Sequence, residues 1–202
     1  FTNSGPVFEE NLMFTSNPFA ELAAFLPPIA MQVYIVLMIV AVAVGTILDM
    51  IHKSSGQFFA RQLEKSKASA TRELSGADKA SLAVKTIAVE VATSGEFCNP
   101  RRRISHILMF YGFIFYLVTT IVMIFSYPTQ EAPAPAFIPV LWNIGVIMLL
   151  IGGYWFFFFL RVNVVYDGQP LFRLVLADLF IVTLLGSVTF ALIWAFTQTT
   201  GN

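Results

Sequence analysis

CNPRRRISHILMFYGFIFYLVTTIVMIFSYP, residues 98–128, is the stretch that decides how the chain must be read. Between Ile104 and Ser126 there is no Asp, Glu, Lys or Arg. An apolar run of about 20 residues can cross the hydrocarbon core of a bilayer as a helix. Arg101, Arg102 and Arg103 stand at one end of this run, and Tyr127-Pro128 stops it at the other. Three more runs of comparable length follow from the same reading: 28–52, 137–160 and 171–196. Pro27 and Pro28 open the first of them, and proline is tolerated in a first helical turn because that N–H has no intrahelical partner.

Composition agrees. The chain is 57% hydrophobic and 12% charged, with a mean hydropathy of +0.75, whereas soluble domains are about a quarter charged. The segments outside the runs are too small for an enzyme domain of ordinary size.

Orientation comes from the basic residues. Lys53, Arg61, Lys65, Lys67, Arg72, Lys79, Lys85, Arg101, Arg102 and Arg103 lie between the first and second runs. Arg161 and Arg173 flank the link between the third and fourth, which completes the chain's 12 Lys and Arg. Cytoplasmic loops carry the Lys/Arg excess. The expectation is therefore an all-α integral membrane four-helix bundle with both termini outside the cytoplasm and a long helical cytoplasmic loop. Segments 1–27, 127–136 and 197–202 fall on the non-cytoplasmic side, and 53–103 and 161–170 on the cytoplasmic side. The chain starts at Phe1 rather than Met. That reads as a processed N-terminus or as numbering that begins inside a longer precursor.

The 53–103 loop is too long for a simple connection. Its first part, SSGQFFARQLEKSKASATREL, can extend the first span. From Asp78 to Thr93 a helical stripe of Ala80, Val84, Ile87 and Val91 follows, with Ser75 and Asp78 spaced as a capping box. Such a helix either lies on the membrane surface or docks a cytoplasmic partner. The 127–136 loop is rich in Pro and Ala and reads as a stiff connector.

The two histidines, His52 and His106, close the first span and open the second. Antiparallel neighbours would bring them to a similar depth. Two imidazoles facing each other across a helix pair can ligate a haem iron. Asp49, three residues before His52, would then hold its second ring nitrogen, and Arg101, Arg102 and Arg103 would meet the propionates. The plainer reading is two interfacial histidines without a ligand. Asp178 lies about two turns inside the fourth run. Carboxylates at such depth are functional candidates by default, for a proton or a quinone; pairing with Arg161 or Arg173 is the structural alternative. Tyr111, Tyr116, Thr119 and Thr120 give the second span polar groups suited to interhelical hydrogen bonds, and Gly145, Gly152 and Gly153 allow close approach in the third. The Phe156–Phe159 run reads as lipid-facing or packed. Cys98 is the one cysteine, so no internal disulfide can form.

The segment R-R-x-S-H-x-L-x-x-Y-G-F at 102–113, with LWNIGVIMLLIGGYWFFFFLR and FRLVLADLFIVTLLGSVTFALI after it, resembles the gamma-type cytochrome b membrane subunits. These include the nitrate reductase gamma subunit and the membrane domains of heterodisulfide-reductase-like and quinone-interacting complexes. The similarity spans about residues 95–196. It implies a membrane anchor of a bacterial or archaeal inner membrane that passes electrons between a quinone pool and a cytoplasmic iron–sulfur or flavin partner. His106 matches the family's first haem-ligand position in this helix. Where the next ligand would fall, this chain has Tyr116. The further helix that carries two more histidines in the nitrate reductase type is missing, so one haem b through His52 and His106 is expected, or none. Such a reduced anchor resembles the branch of small membrane subunits associated with dissimilatory adenylylsulfate reductase.

Two functions follow as expectations: an electron-transfer anchor that binds quinone, or a cofactor-free accessory subunit of a larger membrane complex. Few ionisable groups within the spans argue against a transporter. No nucleophile–base or metal constellation points to a standalone enzyme, and no nucleic-acid partner is expected.

Overall fold

The computed structural model describes residues 12–52, 55–70 and 75–199. All regular structure among them is helical. Two short helices, α1 (Leu12–Thr15) and α2 (Pro18–Leu22), precede the first span, α3 (Pro28–His52). An arm of α4 (Ser55–Ala68), α5 (Gly76–Thr86) and a π-helical turn at Ile87–Val91 leads to the second span, α6 (Pro100–Ser126). The third span is α7 (Phe137–Trp155), continued by a π turn at Phe156–Leu160. After α8 (Val162–Val165), a 3-10 turn at Leu176–Asp178 enters α9 (Leu179–Thr199), the fourth span. Among the described residues, four helices are long and apolar enough to cross a membrane.

Two of the span starts differ from the sequence reading, each for a local reason. The second span starts at Pro100 rather than Ile104, because the Asn99 side chain accepts the Arg101 N–H at 2.9 Å and caps the helix a turn earlier. The three arginines thus sit in the helix's first turn, where the macrodipole disfavours cations. Arg102 reaches instead to the far end of a neighbour, donating to the Leu160 carbonyl at 2.9 Å. The fourth span starts at Leu176 rather than Leu171. Arg161 holds the carbonyls of Leu171 and Arg173, and the Asp178 carboxylate accepts the Val175 N–H at 3.1 Å.

The rigid centre is the antiparallel pair α6/α7. Ser105 and Gly112 lie seven residues apart on α6, as do Gly145 and Gly152 on α7, so each pair shares one helix face. A Cβ on Gly112 would come 2.7 Å from the Leu149 nitrogen, and one on Gly145 would come 2.7 Å from the Tyr116 nitrogen. The Ser105 hydroxyl donates to the Gly152 carbonyl at 2.9 Å. Lipid is as apolar as leucine, so close backbone approach and hydrogen bonds hold such a pair rather than hydrophobic burial. Trp142 Nε1 adds a bond to Thr120 Oγ1 at 3.0 Å. On the other face of α7, Gly153 receives Leu185 of α9. Met123, Trp142, Val146, Leu149 and Val188 are fully buried between these three helices.

The first span is attached differently. Only Met31 and Ile35 of α3 are buried, against Ile124, and Gln32 Nε2 donates to the Ile124 carbonyl at 3.2 Å. Of its apolar window 6% is buried, against 44% for the third span. At this end Asn17 Nδ2 also donates to the Tyr127 carbonyl at 2.8 Å, and Gln198 Nε2 to the Pro18 carbonyl at 3.2 Å.

The arm stands apart. Every described side chain from 56 to 70 and from 75 to 91 is exposed. The capping box is present: Ser75 Oγ accepts the Asp78 N–H at 3.2 Å, and Asp78 Oδ2 accepts the Ser75 N–H at 3.3 Å. The junction 53–54, where the first span would run on into α4, lies outside the described residues.

Candidate functional site

The segment 92–99 returns from the arm and folds onto the first turns of α6. Arg103, His106, Phe110 and Tyr111 recur at helical spacing and face it. Arg103 Nε donates to the Thr93 carbonyl at 2.8 Å, and its Nη2 to Thr93 Oγ1 at 3.1 Å. The Tyr111 hydroxyl donates to the Ala92 carbonyl at 2.8 Å. Between them His106 Nδ1 lies 2.8 Å from Ser94 Oγ. The imidazole is flanked by Phe97 (centroids 4.9 Å apart) and stacked with Phe110 (6.2 Å). Ser94 is 1% exposed and has a φ of 50°, a left-handed conformation that costs a non-glycine residue about 1–2 kcal/mol. Three side chains from α6 therefore fix a strained turn. Where Nδ1 donates to Ser94, Nε2 carries the ring's lone pair, the tautomer that a ligating histidine uses.

His52 sits exposed at the end of α3, whose buried contacts with α6 lie at Met31 and Ile35. An iron held from both sides needs two imidazoles across one ring plane. The structure gives His106 aromatic neighbours and a serine, and leaves His52 on the half of α3 that is not packed. Arg102 is held by Leu160 and lies over the Tyr166 ring at 5.6 Å, and Arg103 is held by Thr93. Arg101 is exposed.

Asp178 is 8% exposed and is bound by Arg161, itself 3% exposed, at 2.5 Å between Oδ2 and Nη1. Arg161 Nε also donates to the Phe157 carbonyl at 2.8 Å, and the guanidinium lies over the Phe157 ring at 4.0 Å. Of the two partners open to Asp178, the structure selects Arg161; Arg173 bonds Gln169. Asp49 lies on the exposed half of α3. Tyr116 is half-buried against Trp142, with centroids 5.9 Å apart, beside the Gly112–Gly145 crossing.

Two groups were not singled out from sequence. Ser94 looks like an ordinary loop serine, and the Ser94-Gly95 pair is the only hint of a turn there. Asn143 is an amide inside a span, and its polarity alone was the signal. It is 3% exposed; Nδ2 donates to the Pro139 carbonyl at 2.9 Å, while Oδ1 has no hydrogen-bond partner among the described residues.

No protein-family model, curated protein or solved structure matches this chain.

Proposed function

We propose that the chain is a membrane anchor subunit of a respiratory oxidoreductase complex, holding a cytoplasmic iron–sulfur or flavin partner and linking it to the quinone pool. The observation that carries the anchoring role is the arm. Val84, Ile87 and Val91 are exposed on one stripe of α5 and its π turn, on a segment that α6 grips only at its end. Apolar side chains at regular helical spacing gain by burial against another surface, and the bundle does not provide it. The excess of basic residues in 53–103 supports a cytoplasmic arm with both termini on the opposite side. The electron-transfer role rests on the resemblance of residues 95–196 to gamma-type cytochrome b subunits. Replacing Val84, Ile87 and Val91 together by Ser should release a soluble redox protein that otherwise copurifies with the membrane-embedded chain. Unchanged copurification would overturn the docking role.

A second reading, a cofactor-free structural accessory subunit, is favoured by the scarcity of histidine, with two in the whole chain. A reduced-minus-oxidised absorption spectrum of the assembled complex distinguishes the two. A b-type band abolished by both His52→Ala and His106→Ala supports haem in this chain. Absence of any such band in preparations of this chain supports the accessory role.

A further inference from the structure

We infer that α4 is an anionic-lipid-binding helix, with Phe58, Phe59 and Leu63 entering the bilayer interface beside the first span. At about 100° per residue, Phe58, Gln62, Ser66, Phe59 and Leu63 fill an arc of about 140° on one face. Lys65 borders this arc next to Phe58, and Lys67 borders it beyond Leu63. Glu64, the helix's one acid, lies opposite, and Arg61 lies on the flank beyond Lys65. A face of two phenylalanines and a leucine, with Gln62 and Ser66 between them and lysines at its borders, is the layout of a helix lying shallowly in an interface. The rings and leucine reach toward acyl chains while the lysines extend to the headgroups. All three apolar side chains are open: Phe58 is 66% exposed, Phe59 70% and Leu63 57%.

Two observations select a lipid surface as the occupant. The first is charge. Arg61, Lys65 and Lys67 against Glu64 give α4 a net charge of +2, which complements an anionic leaflet. The second is the tether. α4 begins three residues after α3 ends at His52, so its first turn is delivered to the membrane surface by a helix that already crosses it. Tethering converts binding into an intramolecular step at an effective concentration in the millimolar range. Three apolar residues, too few to hold a free helix of this length on a membrane, then suffice. This inference concerns α4 alone and does not depend on the docking role given to α5.

The test uses the full-length chain in nanodiscs, with Cys98→Ser so that a single label can be placed. An environment-sensitive fluorophore is attached through Leu63→Cys or, as an internal control on the opposite face, Glu64→Cys. In discs containing a quarter phosphatidylglycerol, the label at 63 should shift to shorter wavelength and be quenched by spin-labelled lipid, while the label at 64 stays water-like. Replacing Arg61, Lys65 and Lys67 by Gln should lower the ratio of inserted to exposed α4 by about a hundredfold, as should high salt in part. These three side chains are exposed, so bundle unfolding in the triple variant should match the parent. Three results would overturn the inference. One is a water-like label at 63 in anionic discs. Another is equal insertion in phosphatidylcholine discs. The third is burial at 63 only after a soluble partner is added, which would assign the face to a protein.

Discussion

Arg161 and Asp178 form a buried ion pair, Nη1 to Oδ2 at 2.5 Å, that fastens the end of the third span to the start of the fourth. The same guanidinium is satisfied by the carbonyls of Phe157 and Leu171. One side chain therefore holds three backbone segments, and the π turn at Phe156–Leu160 ends immediately before it.

Breaking one side of that pair leaves the other charge uncompensated, which costs about 3–5 kcal/mol in buried pairs. Asp178→Asn is expected to lower unfolding stability in detergent micelles by that order. Arg161→Leu combined with Asp178→Leu should lose less than the sum of the single variants. An Asp178→Asn protein as stable as the parent would show that the pair does not hold the turn.

The crossing of α6 and α7 leaves no room for a methyl group. Gly145→Ala would place Cβ 2.7 Å from the Tyr116 nitrogen and 2.9 Å from the Gly112 carbonyl oxygen. Both are backbone atoms, so the helices must separate, at about 1–3 kcal/mol as for other overpacked interiors. Gly45→Ala and Gly186→Ala meet nothing within 4 Å and should be neutral or slightly stabilising. Equal unfolding midpoints for all three variants in a titration with denaturing detergent would contradict this ranking.

Ser94 combines a bond to His106 with a left-handed backbone. Ser94→Ala loses the bond and keeps the strain. Ser94→Gly loses the bond and relieves the strain, so it should be the more stable of the two by about 1 kcal/mol. Tyr111→Phe frees the Ala92 carbonyl and should speed amide hydrogen exchange across 92–97. Indifference of exchange to both Tyr111→Phe and Arg103→Ala would show that the turn is not held by α6.

Asn143 Oδ1 is a buried acceptor with no partner among the described residues, and an unmet polar group costs about 1–3 kcal/mol. Asn143→Leu, of similar shape, is expected to unfold at the same or higher denaturant concentration. A loss above about 1 kcal/mol would instead reveal an unseen partner of the amide.

The spans were legible because a bilayer demands long apolar runs, and 28–52, 104–126 and 137–160 are continuous enough to read directly. The α6/α7 contact was legible in Gly145 and Gly152, since few residue types let two helix backbones touch. Starts of helices were less so: Asn99 and Arg161 set them through side-chain bonds that an apolar-run argument does not weigh. The pairing of His52 with His106 is expected from equal depth along the membrane normal, and depth alone does not fix lateral packing; the buried contacts of α3 with α6 lie at Met31 and Ile35. The Ser94–His106 bond joins a polar loop to a helix, and no periodicity announces such a contact.

Because α3 is gripped near one tip, its far end is a lever arm with respect to the α6/α7 post. From Ile35 to His52 the helix extends about 25 Å at 1.5 Å per residue. A swing of about 10° at the pivot therefore displaces the His52 tip by about 4 Å, while the α6/α7 post stays still. Small changes where Met31 and Ile35 meet Ile124 are therefore multiplied at the His52 end of the span.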